Sequence, residues 1–318
     1  MNKIISLCLA TLSLTAVVSL VARQRLQASD TQPVTIQFQG VAGDTLFRCG
    51  ESYPLGRESI LTTPADFRFY VSEVELIDTA GNAMPMTLEQ DGQWQYQNVA
   101  LLDFEDKTGA CANGTTETRD RVTGTVPVGD YVGLRFTLGI PFALNHADAA
   151  LAPSPLNLTS MWWNWRGGYK FVRIDLETGK MAASPSATKS EGGQGSHGGG
   201  HSGHGNGHPT GGAGFLIHLG STGCQAAAGS QQPTACSNPN RVTVTFADFD
   251  PAANVVIADL AALVRDNTLM TNAPNTPVGC MSSPNDGDCL GIMHNFGLTF
   301  GGQATPGQTF FRMGDRTP

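Results

Sequence analysis

The stretch Met161–Asp175, MWWNWRGGYKFVRID, leaves the chain few ways to fold. Three of its four tryptophans, Trp162, Trp163 and Trp165, fall within four positions, and a Gly-Gly pair follows. From Tyr169 to Asp175 apolar and charged residues alternate, which is the period of a half-buried strand. A strand through the tryptophans would send Trp163 and Trp165 to one face and Trp162 and Asn164 to the other. Two readings follow. The cluster is either a core strand with large aromatic side chains or a redox-active or metal-adjacent group of indoles.

The same alternation recurs along the chain. Val34–Gln39, Phe67–Ile77, Trp94–Leu102, Gly214–Gly220 and Arg241–Phe246 read as strands. Arg121–Val126 and Asp130–Leu138 suggest a hairpin around Pro127-Val128-Gly129, and Thr309–Met313 a closing strand. Gly40–Gly56 reads as a loop. Val255–Val264 suits a short helix with Asp248 or Asn254 as its cap. Charged residues make up only 14% against 38 glycines and 18 prolines, which favours turn-punctuated strands over helices. The expectation is all-β: an antiparallel β-sandwich with long loops, a short helix near the C-terminus and disulfides.

Residues 1–28 read as an export signal, with Lys3 ahead of the uncharged run Ile4–Ala22. An uncleaved anchor is the alternative, since the run approaches membrane-spanning length. The mature chain, 29–318, then reads as a single domain in which no membrane span is expected. Losing Lys3, Arg23 and Arg25 takes the formal charge from −8 to −11, and no cationic cluster offers a face for nucleic acid. Six cysteines remain beyond the leader: Cys49, Cys111, Cys224, Cys236, Cys280 and Cys289. An even number in an exported chain suggests disulfides in the periplasm, in secretions or at the cell surface. Of the 15 possible connectivities, proximity favours Cys224–Cys236 and Cys280–Cys289, leaving Cys49–Cys111.

Residues 182–213 are dominated by Gly, Ser and His and cannot pack a core, so they read as a disordered insert. Four of the seven histidines lie there: His197, His201, His204 and His208. Imidazoles on a glycine tether make an auxiliary metal-binding tract of modest affinity, or a plain solvated linker. The histidines left for an ordered metal site are His146, His218 and His294. Asp148 stands where it could orient His146. Imidazole donors favour copper over magnesium or calcium. No GxSxG elbow, HExxH helix or nucleotide-binding glycine loop is present. Asp103, Glu105 and Asp106 could supply a hydrolytic carboxylate pair, but they read more simply as loop or strand-edge charges.

The phrases FRFYVSEVELID, ALLDFEDKTGACANGT, GDYVGLRFTLGIPFALNHAD, SPLNLTSMWWNWRGGYKFVRID and FLIHLGSTGC, with the Cys280/Cys289 pair, occur in order. Together they resemble the MbnP-like copper-binding proteins, also called the four-Cys member of the metallo-mystery pair. The resemblance runs from about residue 34 to 313, with the His/Gly tract as an insertion. It implies an exported β-sandwich that binds copper and carries kynurenine, an oxidised tryptophan, near the metal. It also implies a partner, a di-haem cytochrome c peroxidase-like (MbnH-like) protein, that performs the oxidation. Carried over, His146 and His218 are the expected imidazole ligands, with His294 a further candidate. Trp163, Trp165 or Trp162 is the residue expected to be modified. Kynurenine would add an aromatic amine to the two imidazoles, a donor set suited to cuprous ion. The expectation is copper storage, uptake or handling and no enzymatic turnover. The competing expectation is a structural or adhesive sandwich, with the tryptophans in its core and no stoichiometric metal.

Overall fold

The computed structural model describes residues 30–179, 214–305 and 307–316; the expected leader and the His/Gly tract lie outside them. Two sheets carry the alternating segments. One runs in the order Phe311–Asp315, Asn254–Asp259, Thr31–Ala42, Arg121–Pro127, Thr87–Leu88. The other runs Gly214–Leu219, Val172–Glu177, Ile60–Asp78, Tyr131–Leu138, Val242–Phe246. Pairings are antiparallel except that Thr31–Ala42 runs parallel to Asn254–Asp259, with Phe38 opposite Val256. Glu177 lies opposite Gly214, so the strands on either side of the insert are direct partners.

Alternation buries one face of the first sheet, the central strands of the second are buried on both faces, and aromatic rings meet between the sheets. Phe38 and Phe136 stand edge to face with centroids 5.6 Å apart, and Phe136 and Phe311 do so at 5.2 Å. Phe67, Phe69 and Phe310 complete the cluster and are fully buried. Edge-to-face pairs add about 0.5–1.5 kcal/mol each beyond the area they bury. The three expected disulfides, Cys49–Cys111, Cys224–Cys236 and Cys280–Cys289, are all present.

Several local expectations are corrected. The hairpin around Pro127-Val128-Gly129 does not form: Arg121–Pro127 pairs with Thr31–Ala42, whereas Tyr131–Leu138 pairs with Ile60–Asp78. Alternation fixes which face of a strand is buried, not which neighbour it takes. Trp94–Leu102 is not one strand but Gln95–Tyr96 folded back on Val99–Asp103, with Gln97 at φ 51° between them. Gly40–Gly56 contains two short strands, Thr45–Leu46 and Tyr53–Leu55. Only Leu260–Val264 of the expected helix is helical. The β-branched run Val255-Val256-Ile257 belongs to a strand. Asp259 is the cap, accepting from the Ala261 and Ala262 amides at 2.9 and 3.3 Å. Two further helices, Phe142–Asn145 and Cys289–Phe296, form where the sequence pattern points to no helix.

Candidate metal centre

The tryptophan segment is a small hairpin at the end of the second sheet. A 3-10 turn, Thr159–Met161, leads into Trp162–Asn164, which pairs with Gly168–Tyr169. Asn164 Oδ1 tightens the reversal by accepting from the Arg166 and Gly167 amides at 2.9 and 2.8 Å. Because the chain turns after Asn164, the expected facing is overturned. Trp165 comes round to meet Trp162 edge to face at 5.7 Å, while Trp163 lies against Gly167 and Gly220. A Cβ at Gly220 would lie 2.5 Å from Cζ3 of Trp163, so only glycine lets the indole approach this closely. None of the three indoles is core: Trp162 and Trp163 are half-buried and Trp165 is 42% exposed. The core residues of this segment are Met161 and Tyr169.

His146 follows the short helix Phe142–Asn145 and is 3% exposed. Its neighbour Asn145 sets its chemistry. Asn145 Oδ1 accepts the Tyr169 amide at 2.8 Å, so its Nδ2 faces the His146 Nε2, 3.1 Å away. Nδ2 can only donate, which assigns the lone pair to Nε2 and the proton to Nδ1. Nδ1 is buried without a well-formed hydrogen bond, the Trp165 backbone being close enough only for a weak polar contact with the ring. Burial lowers the imidazole pKa, against a smaller upward pull from the Trp165 backbone. His146 is therefore neutral near pH 7. Asp148 does not orient it, being occupied with the Ala150 amide at 2.9 Å.

His218 lies on Gly214–Leu219 opposite Arg173 and is 5% exposed. Its Nε2 meets Asp175 Oδ1 at 2.7 Å. Burial lowers its pKa despite that carboxylate, and it too is neutral. Burial alone would raise the pKa of Asp175, but His218 and Arg173 together hold it well below the ordinary carboxylate range. A neutral His218 must donate Nε2–H to Asp175, leaving the lone pair on Nδ1. That is the carboxylate–imidazole arrangement by which many metal ligands are oriented.

Behind Asp175 runs a buried ionic chain. Arg173 binds Asp175 at 2.7 Å and Asp66 at 3.0 Å. Arg68 binds Asp66 and lies 3.7 Å from Glu105. Arg173 and Lys170 also donate to the Ser160 carbonyl at 3.1 and 2.7 Å, which ties the network to the tryptophan hairpin. Desolvation and the neighbouring Arg173 bring Lys170 down to about 8. Asp103 and Glu105 are corrected by this geometry: they are 1% and 0% exposed, not edge charges. Arg68 and the Lys107 and Thr115 amides hold Glu105, and buried Asp103 accepts the Glu105 amide at 3.2 Å, so they do not form an open hydrolytic pair.

Among the described residues, one group of His, Cys, Asp or Glu offers three ligand atoms within 4.8 Å of one another: His146, Cys224 and Cys236. The two sulfurs are joined as a disulfide. His218 is not in that group. A polar path leads toward it: Asn145 Nδ2 lies 3.5 Å from Ser221 Oγ, three residues beyond His218. His294 lies elsewhere, in the last turn of Cys289–Phe296, with a buried, unpartnered Nε2. It lines a cleft of about 390 Å³ with Asn267, Asp266 and Asp288. Asn145 is the residue that sequence reasoning missed, although it stands beside His146 in the NHAD phrase. The donors present fit a soft or borderline metal: two neutral imidazoles with assigned lone pairs and, on reduction, two thiolates.

No curated protein matches the chain. A solved structure does: MbnP from Methylosinus trichosporium, at 29% identity and a TM-score of 0.74, covering 91% of this chain and all of that one. The profile of the MbnP family matches residues 31–282. With the two-sheet fold and the ordered imidazoles beside the tryptophan hairpin, that match places the chain in the MbnP family.

Proposed function

We propose that this is an exported copper-binding protein that holds the metal through His146, His218 and an oxidised tryptophan, and serves copper storage, uptake or handling without turnover. The observation that carries the reading is the pairing of two buried neutral imidazoles with a hairpin whose three indoles all stay partly exposed. His218 is presented by Asp175, and Trp163 sits on Gly220, two residues beyond it. Trp163 is accordingly the first candidate for conversion to kynurenine. Its half-buried indole is open enough for an electron to leave toward a docked oxidant. The oxidant in this reading is a di-haem cytochrome c peroxidase-like protein. Three disulfides suit an oxidising compartment such as the periplasm. No helix among the described residues is long and apolar enough to cross a membrane.

The test is copper content of the purified protein alongside its His146→Ala/His218→Ala double variant, with peptide masses across Met161–Lys170. The expected result is about one tightly held copper that the double variant lacks, and added oxygen on one tryptophan when the di-haem partner is co-expressed. Equal copper in both proteins would overturn the ligand assignment. Unmodified tryptophans in the presence of the partner would remove the kynurenine.

A further inference from the structure

The Cys224–Cys236 disulfide differs from the other two in its surroundings. Cys280 and Cys289 are buried at 2 and 0% exposure, and Cys49, itself partly buried, is joined to the fully buried Cys111. Cys224–Cys236 is the bridge in which both residues are half-exposed. They lie opposite one another in the ribbon Thr222–Ala226/Pro233–Asn238, whose two strands pair only with each other. The loop between them, 227–232, is exposed throughout. A reductant can reach this bond without opening the sandwich, and the ribbon can adjust when the bond is cut.

A buried imidazole is aimed at the same bond. His146 Nε2 lies 3.4 Å from Cys236 Sγ and 4.0 Å from Cys224 Sγ. Gln232, from the ribbon loop, donates to the His146 carbonyl at 3.1 Å and fastens the two together. A metal held by imidazole at about 2.0 Å and by thiolate at about 2.3 Å sets nitrogen and sulfur roughly 3.5–3.7 Å apart. The observed separations bracket that value. Only the two sulfurs must part, and reduction is the event that parts them. A structural staple has no use for an unprotonated imidazole nitrogen within 3.4–4.0 Å of both its sulfurs, whereas a thiolate metal site does.

We infer that Cys224, Cys236 and His146 form a redox-gated site for a soft metal ion, cuprous copper, closed while the disulfide is intact and opened by a dithiol reductant. In the opening step a dithiol exchanges with the bond. Its two thiols close into a disulfide, while Cys224 and Cys236 each gain one electron and one proton. Binding of the cuprous ion then releases the two thiol protons to solvent. It also replaces the Asn145 hydrogen bond on His146 Nε2, and Asn145 Nδ2 retains Ser221 Oγ 3.5 Å away. Two thiolates and one imidazole make a three-coordinate set that favours Cu(I). The site shares His146 with the copper reading above but needs neither His218 nor an oxidised tryptophan.

The test uses the full chain under anaerobic conditions. The protein is treated with limiting dithiothreitol, freed of it, and loaded with Cu(I) against a competing chelator. Differential alkylation with peptide masses identifies the cysteines that opened, and X-ray absorption at the copper edge reports sulfur neighbours. The expected result is that Cys224 and Cys236 open first and that copper in the reduced protein gains sulfur neighbours. The Cys224→Ser/Cys236→Ser variant should lack them, and His146→Ala should weaken retention about 10- to 100-fold. Prior opening of Cys49–Cys111 or Cys280–Cys289 would overturn the inference, as would nitrogen-only copper in the reduced protein or sulfur ligation surviving in the double serine variant. The oxidised protein keeps the two readings apart. Nitrogen-bound copper there belongs to the His146/His218 reading, and its absence would leave the sulfur result standing.

Discussion

At the scale of single residues, the site is governed by groups that fix where protons sit. Asn145 and Asp175 do so for the two histidines, one by donating to Nε2 and the other by accepting from it. The opposite roles leave the lone pair on Nε2 of His146 and on Nδ1 of His218. Asp103 shows the same control acting on stability. Burial, against the charge of Arg68, pushes its pKa from 3.8 up to about 8. The native protein therefore holds a proton that the unfolded chain releases above about pH 4. The stabilisation from this proton is complete below pH 4 and is lost as pH rises through 8. Lys170, lowered to about 8 from 10.5, acts only above that window. Asp103→Asn should abolish this part of the pH dependence. Between pH 5 and 8 the wild type should lose on the order of a few kcal/mol more than the variant in denaturant unfolding with disulfides intact. Parallel slopes in the two proteins would assign the dependence to other groups.

At the scale of elements, the Trp162–Tyr169 hairpin couples the fold to the site, and one glycine joins them. Gly168 has φ 72°, and a Cβ there would strike the Asn145 backbone and side chain. Gly168→Ala meets both the strained backbone and the clash, and the Asn145 clamp on Tyr169 and His146 has to yield. We expect a loss of about 1–3 kcal/mol together with a changed near-ultraviolet signal from the displaced indoles. Gly92→Ala, also at positive φ but facing open space, is the control for backbone strain alone. An unchanged tryptophan signal in Gly168→Ala would show that the hairpin is not held through Asn145. This element also marks how far the sequence could be read. Alternation placed one strand at Tyr169–Asp175, whereas the structure starts it at Val172 and leaves Tyr169 in the hairpin, and the Trp-Trp-Asn-Trp run carried no sign that Asn164 would fold it back on itself. The two histidines were identifiable as ordered imidazoles. Asn145 was not, because a side-chain amide declares its role only when Tyr169, 24 residues away, arrives beside it.

At the scale of the whole molecule, strands were legible from alternation and the disulfides from spacing, while sheet membership was not. The connection from Pro127 to Tyr131 looks like a hairpin and instead passes between sheets. Pairing depends on which hydrophobic faces meet across the core, a long-range condition that a local pattern does not encode. The buried charges were equally hidden. Asp66, Arg68, Arg173 and Asp175 alternate like surface charges on a half-exposed strand. They lie inside because they neutralise one another, Arg68 with Asp66 and Arg173 with Asp175 along each strand and Arg173 with Asp66 diagonally across, although the register sets like charges opposite.

The last segment of the chain follows from the same long-range logic. The family profile ends at residue 282, but the sandwich does not. Phe310 and Phe311 are 0% and 4% exposed, and the strand Phe311–Asp315 closes the first sheet against Asn254–Asp259. Phe310 meets Phe67, Phe69 and Phe296, and Phe311 meets Phe69 and Phe136. These rings fill the space between the sheets, so their removal leaves a cavity that rigid strands cannot collapse to fill. Phe310→Ala should cost about 3–5 kcal/mol, and a chain ending at residue 307 should fail to reach the native state. Met313, on the same strand but 41% exposed, provides the contrast: Met313→Ala should stay within about 0.5 kcal/mol. Denaturant midpoints for the three proteins decide the matter. A Phe310→Ala midpoint close to that of Met313→Ala would mean that the sandwich is complete without its C-terminal strand. A large difference would extend the fold to residue 315, with the two histidines of the proposed site resting on a core that the profile leaves out.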